Sequence, residues 1–489
     1  MPLGDRIRRG AMWLFLGNTG SQVLTFAFGI VLARLLAPED FGMLVTIQVF
    51  TGLAGFVAGG GMGQALVRAS ETSKQDYDIV FTLQLAIGCA IYAGFYAAAP
   101  WIAEWYDTPL YANLLRVAAL SFVVRPFVNL PGSILHRDMR FKAQTVVRVT
   151  TLIVSSAVSI GMAYHGHGVW SLIIGGMAGS ICSMVLLVWL SGWRPGFSRD
   201  IGRARNIARY GALVSINDIV NYLRNQATNF ILGRTLGVTH VGLFNKADSL
   251  ARMPHGIITS SVYPVLFRAL AKEQSNPDMS RYLFFRSLSL VAVYVTPLYV
   301  GVYWTATPLI ALLYGAKWVG AAEPLAILAL AGPFMTIANL SGAVLAARND
   351  LGRELKVQLI VLALTIAATL SSLSFGLGGI AVALVLVSIY SAIHMYALAA
   401  RSLNANWKQL TTSMLPAIAL NVILASVLYL LDRYMPATLR DSDLRYFGMM
   451  AAAGGLTYAL CFLYSPIAAL GAEQRRWKQR LRLESRTAP

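Results

Sequence analysis

Residues 208–268 read ARYGALVSINDIVNYLRNQATNFILGRTLGVTHVGLFNKADSLARMPHGIITSSVYPVLFR. Two segments here are long enough to cross a bilayer, yet each carries charged residues in its middle. A charge in hydrocarbon costs a few kcal/mol or more, so such residues turn toward a wet cavity or a partner. Asp218, Asn221, Tyr222, Asn225 and Asn229 recur at three- and four-residue spacing, which places them within an arc of roughly 100° on a helix. In the second segment Asn245, Asp248, Arg252 and His255 do the same, and Asp248 and Arg252 stand at i,i+4, where opposite charges meet. Arg224 and Lys246 lie at the edges of the two faces. Two readings are open: a hydrated, polar-lined cavity, or internal pairing of charges between helices.

The rest of the chain says which kind of molecule holds these faces. It has 489 residues, 56% hydrophobic and 13% charged, with mean hydropathy +0.60. Its apolar runs repeatedly approach bilayer-spanning length, which implies an all-α polytopic membrane protein. The runs are continuous and lack the alternation of barrel strands. A net charge of +18 would point to nucleic acid in a soluble chain; here the placement of the cations matters more, and no nucleic-acid partner is expected. Cys89, Cys182 and Cys461 fall inside apolar runs without metal or disulfide spacing and read as small core residues. Arg6, Arg8 and Arg9 precede an apolar run too long for a signal peptide, so an uncleaved first helix is expected.

Apolar windows predict about 14 transmembrane helices, at about 11–36, 41–66, 79–103, 111–134, 143–164, 168–191, 208–237, 240–267, 282–305, 322–346, 357–375, 378–400, 411–431 and 446–468. With that count one side receives Arg6/Arg8/Arg9, Arg68/Lys74, Arg137/Arg140/Lys142, Arg194/Arg199/Arg203/Arg205/Arg209, Arg268/Lys272/Arg281, Arg348/Arg353/Lys356, Arg401/Lys408 and the tail from Arg475 to Arg486. The other side receives Arg34, Arg234, Lys317, Arg433, Arg440 and Arg445. The bias predicts that both termini are cytoplasmic.

The halves also repeat. A shift of 200 residues places Leu32, Arg34, Leu36, Gly42, Leu66 and Arg68 on Leu232, Arg234, Leu236, Gly242, Leu266 and Arg268, and lays the polar face Asn18, Ser21, Gln22, Thr25 over Asp218, Asn221, Tyr222, Asn225. Two parallel, pseudo-symmetric six-helix bundles follow, at 1–191 and 208–401, joined by a cytoplasmic linker at 192–207. Helices 13 and 14 (402–470) and a basic cytoplasmic tail (471–489), suited to anionic headgroups, complete the chain.

Further cations sit in the spans: Arg116 and Arg125 in the fourth, and Arg148 in the fifth, on one face with Thr151, Ser155 and Ser159. Arg286 is close enough to the start of the ninth to snorkel. The embedded cations Arg116, Arg125, Arg148, Arg224, Lys246 and Arg252 outnumber the embedded acids Asp218 and Asp248. A cavity of that composition prefers an anion, and the guanidinium fork suits phosphate; near helix ends the same arginines would be structural. Gly52, Gly55, Gly59 and Gly63 form a small-residue face that reads as helix packing before it reads as a hinge. The run GGGMG at 59–63 lies inside a span and is no nucleotide fingerprint, and no phosphate-loop motif occurs. His165 and His167 read as an outer turn, residues 308–318 as an interfacial half-helix, and the outer loop 432–445, with Asp441 and Asp443, as solvated.

At Leu32 to Gly42 the chain reads LARLLAPEDFG, with Gly10-Ala-Met-Trp13 upstream and Gly63-Gln64-Ala65-Leu66-Val67 downstream. With these stretches it resembles Wzx-type lipid-linked oligosaccharide flippases, the polysaccharide-transporter branch of the MOP superfamily, and within it the colanic-acid and lipopolysaccharide exporters. The resemblance implies a V-shaped pair of bundles that alternately opens to either side. It implies a secondary transporter, not an enzyme, in the bacterial inner membrane, carrying undecaprenyl-diphosphate-linked repeat units for exopolysaccharide, capsule or O-antigen. Under it, Arg116, Arg125, Arg148, Asn221, Arg224, Asn225, Lys246 and Arg252 are expected to contact substrate. Asp218 and Asp248 are expected to couple transport to H+ or Na+, without any other cofactor. A polysaccharide polymerase and a chain-length regulator are the expected protein partners. The rivals are a MATE-type ion-coupled antiporter, disfavoured for organic cations by the cationic excess, and a membrane-embedded polymerase or glycosyltransferase, disfavoured by the lack of a large extramembrane domain.

Overall fold

The computed structural model describes residues 3–59, 62, 66, 73–198, 200 and 219–481. All regular secondary structure among them is helical. The first helices are α1 (Leu3–Leu35), α2 (Pro38–Gly59), α3 (Lys74–Trp105), α4 (Leu110–Ala119), α5 (Ser121–Val124), α6 (Pro126–Arg137), α7 (Phe141–Tyr164) and α8 (Val169–Ser191). Then come α9 (219–235), α10 (Val238–Ser261), α11 (Tyr263–Lys272), α12 (Pro277–Tyr314), α13 (Ala322–Ala329), α14 (Gly332–Ala347), α15 (Leu351–Ser371) and α16 (Gly376–Leu403). The last are α17 (Trp407–Tyr434), α18 (Ala437–Arg440), α19 (Asp443–Tyr464) and α20 (Gly471–Arg480).

Local chemistry sets several ends. At α3 the Asp76 carboxylate accepts from the Ser73 amide at 2.8 Å while the Ser73 hydroxyl accepts from the Asp76 amide, a reciprocal cap. Asn406 and Gln409 repeat it at α17. Pro126 has no amide hydrogen, so the ladder of the fourth span is interrupted beside Arg125. At α13 and α14 the axis bends by 53° at a break that precedes Pro333.

Among the described residues ten helices are long and apolar enough to cross a membrane, eleven if the bent pair counts as one span. Large apolar side chains cover their outer faces, among them Val185 and Trp189 on α8, Leu386 on α16, Val422 on α17 and Leu456 on α19. Only a bilayer matches such a surface, and the chain is a multi-pass membrane protein. The expected count of 14 is not reached by this criterion. The windows left over are 11–36, 208–237 and 240–267. Two of these carry the polar faces at 218–229 and 245–255, and the first carries the related face at 18–25. In the first, Gly20–Leu35 qualifies as a shorter apolar helix; the second begins outside the described residues.

Two further expectations are corrected. Residues 308–314 form no separate interfacial half-helix but the last turns of α12, whose 38 residues run through Pro297 and Pro308. Proline removes one hydrogen bond from the ladder, whereas Gly315, at φ +94°, is what ends the helix. Of the cysteines expected in the core, Cys89 is exposed and Cys182 half-buried, whereas Cys461, also half-buried, packs against the cluster around Val293, Leu420 and Phe462.

The chain forms two compact units, Met1–Gly242 and Leu243–Pro489. The first is centred on Ile47, Ala99, Tyr111, Leu114, Leu115 and Ile173. Gly175 and Gly179 of α8 leave room for Ser159, Ser155 and Thr151 of α7. That face below Arg148 is therefore a small-residue packing seam. Trp193 packs edge-on to Phe81 at 5.2 Å, and the Ser198 amide donates to the Thr82 hydroxyl at 3.0 Å, which ties the described start of the expected linker to α3. The second unit is centred on Phe284, Leu288, Leu340, Tyr396 and Leu403.

Within the first unit the sequence repeat has a spatial counterpart. A Cβ on Gly42 would strike the Val238 carbonyl oxygen, and one on Gly242 would strike the Pro38 carbonyl oxygen. Thr239 Oγ1 donates to Glu39 Oε1 at 2.9 Å. Positions 38 and 238, 39 and 239, 42 and 242 are equivalents under the 200-residue shift, so the contact is close to self-complementary, as across a two-fold axis.

Candidate functional site

The glycine face of α2 is the centre of the first polar cluster. A side chain at Gly52 would meet the Tyr222 hydroxyl, one at Gly55 would meet Arg125 Nη1, and Asn129 Nδ2 stands 4.0 Å from where a Gly59 Cβ would be. Gly52 and Gly55 thus make room for polar side chains of neighbouring helices, so the packing expected on this face is against side chains rather than a backbone; Gly63 lies outside the described residues. Tyr222, on α9, donates to the Gln48 carbonyl of α2 and packs edge-on to Phe56 at 5.4 Å.

Arg125 sits at the proline break between α5 and α6. Its Nη1 is buried with no hydrogen-bond partner among the described residues, and its guanidinium carbon lies 5.9 Å from the Phe122 ring. Leaving a buried charged donor unsatisfied costs on the order of 1–3 kcal/mol or more, a penalty that folds retain chiefly where something else is to be bound.

The other predicted cations are distributed differently. Arg116 donates through Nε to the Tyr96 carbonyl at 3.5 Å and lies 4.5 Å from the Tyr96 ring, so α3 already holds it. Arg148 is exposed on α7; Asn221 and Arg224 are half-buried on α9, and Asn225 is exposed there. Asp218 lies outside the described residues.

The second unit carries its own cluster on α10. Arg252 Nε donates to both carboxylate oxygens of Asp248 at 2.7 Å, joining the predicted i,i+4 pair. Lys246 Nζ lies 5.2 Å from the Tyr314 ring and 5.7 Å from the fully buried Trp318. His255 Nε2 is 3.3 Å from the Thr259 hydroxyl, one turn on.

Of the ten predicted site residues, then, Asp248 and Arg252 are in direct contact, whereas Arg116 and Lys246 each have an aromatic seat of their own. Asn129 and the Tyr314–Trp318 seat were not anticipated. Gly52 and Gly55, at helical spacing, are the one signal that bulky polar side chains need room beside α2. Among the described residues no three His, Cys, Asp or Glu are grouped to hold a metal ion. Buried, unspent hydrogen-bond donors on a cation are the chemistry of anion binding.

A model of the family described as polysaccharide biosynthesis protein matches residues 31–323. The chain belongs to that family. Succinoglycan biosynthesis transport protein ExoT of Rhizobium meliloti (strain 1021) is 25% identical over 330 residues, covering 68% of this chain and 67% of its own length. Lipopolysaccharide biosynthesis protein WzxC of Escherichia coli (strain K12) is 23% identical over 403 residues, 81% of either chain. Among solved structures, the lipid II flippase MurJ in an inward closed conformation superposes with TM-score 0.74 at 16% identity, over 97% of this chain and all of MurJ. This family member therefore shares the helical fold of that structure.

Proposed function

We propose that the chain is a secondary transporter that flips undecaprenyl-diphosphate-linked oligosaccharide repeat units across the bacterial inner membrane by alternating access. The observation that carries this reading is Arg125: a half-buried arginine inside a span, its Nη1 beside Gly55 and buried with no hydrogen-bond partner among the described residues. A diphosphate offers the charge and oxygens such a group lacks. Arg148, Asn221, Arg224, Asn225 and Arg252 are proposed as further contacts, Arg116 and Lys246 as cations held chiefly for packing, and Asp218 and Asp248 as the coupling carboxylates. Family membership and relatives named for polysaccharide biosynthesis, one of them a transport protein, support the substrate class. The inner-membrane location and cytoplasmic termini follow from the placement of the basic clusters. A polymerase and a chain-length regulator are the partners that would act on the flipped unit.

The test is polymer export in cells that depend on this chain. Arg125→Gln is expected to lower export at least tenfold at unchanged protein level, Arg125→Lys to keep part of it, and Arg116→Gln to keep most of it. Full export by Arg125→Gln would overturn the assignment.

A further inference from the structure

The C-terminal helix α20 is anchored to the second unit by one face. Arg286 Nη2 pairs with Glu473 at 3.3 Å and Arg286 Nη1 donates to the Ala469 carbonyl at 2.9 Å. Gln474 donates to the Phe462 and Ser465 carbonyls, both at 2.9 Å. Trp477 donates to the Tyr294 hydroxyl, also at 2.9 Å. Around these anchors Arg475, Arg476 and Arg480 are all exposed; Arg476 Nη1 also pairs with Glu473 Oε1 at 2.9 Å and Arg480 lies 5.7 Å from the Trp477 ring, which holds both guanidinium groups at the helix surface. Lys478 rests 5.2 Å from the Tyr464 ring.

The level of this helix follows from its neighbours. α12 has 38 residues, about 57 Å at 1.5 Å per residue, against a hydrocarbon core of about 30 Å. It must project into a headgroup layer. Hydrogen-bonded Trp and Tyr are typical of that layer, and α20 follows a span end at Tyr464. Beneath Trp477 lies an apolar cavity of about 670 Å³, lined by Leu298, Gly301, Leu424, Gly454 and Tyr458. A basic face in the headgroup layer beside an apolar cavity is matched by a molecule with an anionic head and a hydrocarbon chain.

We propose that α20 lies flat in the interface and binds anionic phospholipid headgroups through Arg475, Arg476 and Arg480, with an acyl chain entering the cavity beneath Trp477. Near an anionic surface each Lys or Arg contributes about 1 kcal/mol, so removing three charges weakens binding on the order of a hundredfold.

The test is a thermal-shift titration of the full chain in neutral detergent with short-chain phosphatidylglycerol, phosphatidylcholine or soluble glycerol phosphate. Wild type is expected to be stabilised by phosphatidylglycerol at far lower concentration than by phosphatidylcholine. The triple variant R475Q/R476Q/R480Q is expected to lose that preference about a hundredfold while responding normally to phosphatidylcholine. R475K/R476K/R480K, which keeps the charge, is expected to retain the preference within a few fold. A preference that survives in the glutamine variant, or an equal shift from glycerol phosphate alone, would overturn the proposal.

Discussion

Arg116 and Arg125 look alike in sequence, two cations nine residues apart in one span. Their settings separate them: Arg116 has a ring and a carbonyl on α3, whereas Arg125 faces a missing side chain at Gly55. Asp248 and Arg252 pose a related question, since their contact fits either a structural pair or a coupling site. The pair is partly exposed, and such pairs contribute about 0–1 kcal/mol. Asp248→Asn is therefore expected to shift Tm by no more than a few degrees. If the carboxylate also couples transport to an ion, the same variant loses gradient-driven transport more than tenfold; if transport is unchanged, the pair is structural only.

Among elements, the polar helices show how far the sequence could be read. The spacing of Asp248, Arg252 and His255 gave their shared face correctly, because helical geometry depends only on local order. It did not give the use of the α2 glycines, because that depends on a proline break in another span and on Tyr222, more than 160 positions away. Nor did periodicity reveal that α12 runs on to Tyr314, since Pro308 reads locally as a boundary. The 200-residue repeat was legible as weak identities and becomes a contact at Gly42 and Gly242. Those two backbones touch, so Gly42→Val or Gly242→Val must push them apart. Each is expected to cost about 1–3 kcal/mol. Because both act on one contact, the double variant is expected to cost less than the sum. Thermal unfolding in detergent checks this, and additive losses would mean that the two glycines serve separate contacts.

At the scale of the whole molecule, the apolar outer faces, the polar seams and the family match describe a chain that spans the bilayer many times and keeps charged groups inside it. Among the described residues ten or eleven spans are counted, partly because residues 208–218 lie outside them and partly because α10 carries its charges within an apolar segment. The fold was readable from run lengths, cation placement and the LARLLAPEDFG stretch. The buried, unpartnered Nη1 of Arg125 needed the tertiary structure. The most direct measurement is translocation itself, with purified protein in liposomes carrying undecaprenyl-diphosphate-linked oligosaccharide in one leaflet. Exposure of the sugar to a membrane-impermeant reagent on the opposite side is expected to rise with time in wild type and to fall at least tenfold in rate with Arg125→Gln. A rate equal to that of protein-free vesicles, with organic cations transported instead, would contradict the account.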